Sequence, residues 1–94
     1  MIKYEKALAD YVSVLEQSAK ETHRAEDRTR YQQHLASAAL MFAAIVKDNS
    51  ISKLKDLVAD ERRSYGWDFL SEPAGEAAEK SFHAFASMIE NDFK

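Results

Sequence analysis

Cysteine is absent from this chain, and glycine and proline are almost absent: Gly66, Gly75 and Pro73 are the only ones. Without cysteine there are no disulfides, no thiol nucleophile and no thiolate metal site, which fits a reducing cytoplasm. Two glycines cannot serve the many tight turns of a β-sandwich or barrel. Nor can they build a glycine-rich phosphate loop, and no Gly-x-Ser-x-Gly or His-Glu-x-x-His motif occurs among the nine serines and three histidines. No Asn-x-Ser/Thr sequon is present. The first six residues, Met1-Ile2-Lys3-Tyr4-Glu5-Lys6, carry charge where a secretory signal needs an apolar stretch. The longest apolar run, Leu35 to Val46, has twelve residues and contains Ser37, whereas a bilayer span needs about twenty. A cytoplasmic location is the expectation.

An excess of positive charge is missing too. The net charge is −3 over 94 residues, of which 31% are charged, and residues 61–94 carry four basic groups against seven acidic ones. A general nucleic-acid binder shows the opposite sign. What is present is 46% hydrophobic residues, with alanine, leucine, glutamate and lysine, all strong helix formers, prominent throughout. These proportions belong to a folded globular chain. Its length fits one domain over residues 1–94.

The apolar residues recur at three- and four-residue steps, which predicts an all-α fold. We read a compact bundle of about four antiparallel amphipathic helices, over residues 2–21, 28–47, 51–65 and 73–93. The first presents Tyr4, Leu8, Tyr11, Val12, Leu15 and Ala19. The second presents Tyr31, Leu35, Ala38, Phe42, Ile45 and Val46 as its main stripe, with Asp27 or Thr29 as its cap. A further set, Ser37, Leu40, Met41 and Ala44, lies on its other side, so this helix is apolar nearly all round and needs cover nearly all round. Ser50 or Ser52 is placed to cap the third helix, which carries Ile51, Leu54, Leu57, Val58 and Tyr65. Gly66 suits the left-handed position that ends many helices. Pro73 suits the first turn of the fourth helix, which packs with Ala77, Ala78, Phe82, Phe85, Ala86, Ile89 and Phe93.

Three kinds of chemistry have candidate residues or motifs to set against the sequence: metal binding, catalysis and DNA binding. Glu72, Glu76, Glu79 and His83 fall near one line, but their Glu-x-x-x-His spacing has no second copy and differs from the Glu-x-x-His of di-iron bundles. A solvated acidic face explains it better, so no metal and no cofactor are expected. His23 and His34 have no partner near them in sequence. Catalysis lacks any reactive constellation, and the chain is read as a non-enzyme. The 45–58 passage resembles helix-turn-helix spacing, with Lys53, Lys55, Arg62 and Arg63 on the helix 51–65, but Asp48, Asp56, Asp60 and Glu61 spoil the positive field that phosphate contact requires. DNA binding is therefore only a minor alternative.

The leading expectation is a small, soluble, non-catalytic helical module that acts by protein–protein interaction, as regulator, adaptor or subunit. Two surfaces are candidates for it. One is the aromatic run Tyr65-Gly66-Trp67-Asp68-Phe69-Leu70 with Arg62 beside it, types enriched at binding hot spots. The other is the second face of the helix 28–47, where Leu40, Met41 and Ala44 suit a homodimer seam. The alternative is a bundle that binds a small apolar ligand between Met41, Phe42, Trp67, Phe82 and Phe85.

Overall fold

The computed structural model describes residues 2–67 and 73–93. It has four helices: α1 (Ile2–Glu21), α2 (Ala25–Phe42, widening into a π turn over Ala43–Lys47), α3 (Ile51–Trp67) and α4 (Pro73–Asp92). The all-α bundle expected from the periodicity is what forms. Contacts between helices fix the topology. Tyr4 of α1 meets Asp92, Tyr11 meets Phe82 and Ser18 meets Ala74, so α1 and α4 run antiparallel. His34 meets Glu61 between α2 and α3, while Arg62 meets Glu90 and Lys55 meets Phe93 between α3 and α4. Each helix packs against the next, and α4 closes on α1. The result is an up-down-up-down arrangement with α1 and α3 on one diagonal. Its Cα radius of gyration, 12.7 Å, is close to the about 12 Å expected of a compact chain of this length.

The core lines are regular. Buried positions include 4, 8, 11, 15, 18 and 22 along α1 and its end, 27, 31, 34, 38, 41 and 45 along α2 (with 44 beside the last), and 54, 58, 61 and 65 along α3. In α4 they include 75, 78, 82, 85 and 89. Steps alternating between three and four make a 3.5-residue repeat, which keeps a seam facing its neighbours when helices pack in a left-handed bundle. Five of these positions are polar: Ser18, Thr22, Asp27, His34 and Glu61. Val12, Ala19, Leu35 and Phe42 sit one residue off the lines and are half-buried. Val46, one step past Ile45, is exposed, so it does not belong to the core stripe.

The helix ends differ from expectation in three places. α2 begins at Ala25, with Arg24 extended before it, so neither Asp27 nor Thr29 is its cap. Asp27 lies instead in the first turn, buried, where a carboxylate complements the positive end of the helix. α3 continues through Gly66 to Trp67, and among the described residues no glycine has positive φ. Gly66 is therefore not a left-handed terminator. The left-handed residue is Asn49, at φ 46, which ends the π turn. The Ser50 N–H then donates to the Ala44 carbonyl at 2.9 Å, and its hydroxyl accepts from the Lys53 N–H at 3.2 Å, capping α3 as expected. Gly75 is buried in α4, beside the carbonyl of Ala74 to which the Ser18 hydroxyl donates at 2.8 Å. A side chain there would hold α1 away.

Candidate functional site

One ring from each helix meets near the middle of the bundle. Tyr65 of α3 is held between two flat partners: the His34 imidazole of α2 stacks on it at 4.2 Å, and the Phe82 ring of α4 at 5.0 Å on centroids. Tyr11 of α1 tilts against Phe82 at 5.5 Å, and its hydroxyl hydrogen-bonds that of Tyr65 at 2.5 Å. Glu61, one turn before Tyr65, reaches His34 Nδ1 with Oε1. A carboxylate can only accept, so the ring nitrogen donates. Glu61 Oε2 is buried and has no hydrogen-bond partner among the described residues. Tyr11, His34, Glu61 and Tyr65 are all buried.

His34, Glu61 and two tyrosines are residue types that elsewhere perform acid–base chemistry. Here they meet no cavity: no pocket is found among the described residues. The arrangement joins α2 to α3 through His34 and Glu61, and α1 to α3 through Tyr11 and Tyr65. The sequence reading missed it because His34 and Glu61 lie far apart along the chain. The available signal was the 3.5-residue spacing, which puts His34 between Tyr31 and Ala38 and Glu61 between Val58 and Tyr65.

The phenol of Tyr11 is pushed well above its ordinary pKa of 10.0, first by burial, then by the neighbouring Tyr65 and by Glu61. The folded chain thus keeps that proton at pH values where the unfolded chain releases it. The stabilisation is complete below pH 10 and declines as the pH rises beyond it, by up to about 1.4 kcal/mol per pH unit for one such group. Tyr4 shifts in the same direction, again first through burial. Urea unfolding followed by circular dichroism between pH 8 and 11 should show a flat midpoint up to about 10 and a falling one above. A midpoint flat throughout would refute the buried, protonated phenol.

A second network lies on the surface between α3 and α4. Arg62 grips Glu90 with two hydrogen bonds of 2.9 and 2.8 Å, donates to His83 Nδ1 at 2.9 Å, and covers the Phe82 ring with its guanidinium at 5.8 Å. Glu79 stands 3.6 Å from His83 Nε2. Of the expected acidic line, His83 joins the Arg62 clamp through Nδ1 and Glu79 stands beside it, while Glu76 is exposed. Among the described residues no group of three or more histidine or acidic side chains is placed to hold a metal ion; Glu72 lies outside them. At the far end Asp92 accepts from Tyr4 at 2.6 Å and pairs with Lys3 at 2.6 Å. Lys3, then Tyr4, holds the Asp92 carboxyl below the usual carboxylate range.

The basic groups of α3 are similarly engaged: Lys53 with Asp48, Arg63 with Asp60, Arg62 with Glu90 and Lys55 with the Phe93 carbonyl. Such pairing leaves little free positive field for a phosphate backbone.

The interaction candidates are divided by burial. Met41, Ala44 and Tyr65 are buried in the chain's own core. Met41 lies on the core line of α2, next to the Phe42 expected there, and Ala44 is buried beside Ile45 of that line. Arg62 is half-buried in its clamp. Phe69 and the side chain of Trp67 lie outside the described residues. Leu40 is exposed, at 58% of its surface, and Val46 joins it at 65%; these are the exposed large hydrophobic residues among those described. Ala36 and Ala39 are exposed as well, and Ala43 partly so. From Tyr31 to Val46 the chain contains no Asp, Glu, Lys or Arg, although 31% of all its residues are charged.

No protein-family model matches this chain, and no match is found among curated proteins or among solved structures. No helix among the described residues is long and apolar enough to cross a membrane.

Proposed function

We propose that this chain is a non-catalytic helical module of the cytoplasm that works by binding protein, as a regulator, adaptor or subunit, through the outer face of α2. The observation that carries the reading is the exposure of Leu40 and Val46 on a helix whose outer surface has no charge from Gln32 to Val46. A solvated helix face is normally charged, and an apolar, uncharged one marks a contact surface. The buried His34–Glu61 pair, which joins α2 to α3, supports a structural use of these two residues over a catalytic one. The alternative of an apolar-ligand carrier has less support, because Met41, Phe82 and Phe85 are packed within the core and no pocket opens among the described residues.

The test is affinity purification of the tagged chain from its native host with mass spectrometry, comparing wild type with Leu40→Glu. Leu40 is outside the core, so the variant should keep its thermal midpoint while losing the proteins that the wild type retains. Recovery of the same proteins by both would refute the α2 surface.

A further inference from the structure

We draw no further inference here: the strongest candidate, the exposed Leu40 and Val46 on the outer side of α2, belongs to the surface already described, and nothing in the structure shows what covers it.

Discussion

Glu61→Leu is expected to lower the stability of the chain by about 2–4 kcal/mol, between the cost of orphaning a buried polar group and that of breaking a buried ion pair. The whole fold has on the order of 5–14 kcal/mol to lose, at 0.05–0.15 kcal/mol per residue, so one carboxylate bears on a large part of it. Its removal takes the acceptor from His34 Nδ1 at a buried site. His34→Leu should be similarly costly, since it strips Glu61 of that partner and Tyr65 of a stacked ring. The double variant His34→Leu/Glu61→Leu is expected to return to within about 1 kcal/mol of wild type, because apolar side chains of similar size replace a buried polar pair at little net cost. Urea midpoints of the four proteins, compared at constant slope, form the test. A double variant as unstable as the sum of its parents would show that the two residues act independently.

Phe82→Ala should be the more damaging single change. The ring is fully buried and touches Tyr11 of α1 and Tyr65 of α3, and Arg62 lies over it. Truncating a core phenylalanine costs about 3–5 kcal/mol, from lost transfer energy and from the cavity left behind. In a domain of this size each kcal/mol moves the midpoint of thermal unfolding by about 4–8 °C. A fall of tens of degrees is expected by calorimetry. Phe82→Leu, which keeps most of the volume, should recover much of it. A drop of only a few degrees for Phe82→Ala would mean that the neighbouring rings close the gap, and the central layer would be looser than its contacts indicate.

The helices were legible in the sequence because the core is made mostly of apolar residues at helical spacing. Tyr4, Leu8, Tyr11 and Leu15 are buried as the pattern required. The rest was hidden for two physical reasons. A pattern that counts only apolar residues skips the polar members of a core line, so Ser18, Thr22, Asp27, His34 and Glu61 were passed over. Their partners come from other helices: Glu61 for His34, and the carbonyl of Ala74 for Ser18. The line itself was also misplaced on α2. The expected stripe shares Tyr31, Ala38 and Ile45 with the packed line, but takes Leu35 and Phe42 where the line has His34 and Met41, and adds the exposed Val46. Met41 and Ala44, expected on the contact face, are thus in the core, and Leu40 of that set is outside it.

The π turn at the end of α2 bears on how the chain tolerates changes of length. There the Asp48 N–H reaches the Ala43 carbonyl, five residues back, at 2.9 Å. A normal turn would bond four residues back, so the segment accommodates one residue more than the helix needs. It adjoins the Asn49 reversal and the Ser50 cap, which together set where α3 begins. Loss of one residue at this point shortens the helix without touching the cap, while the same loss farther back, between Asp27 and Ala38, would rotate every later core position off its line. The bundle thus keeps an adjustable joint next to a turn, at the end of α2.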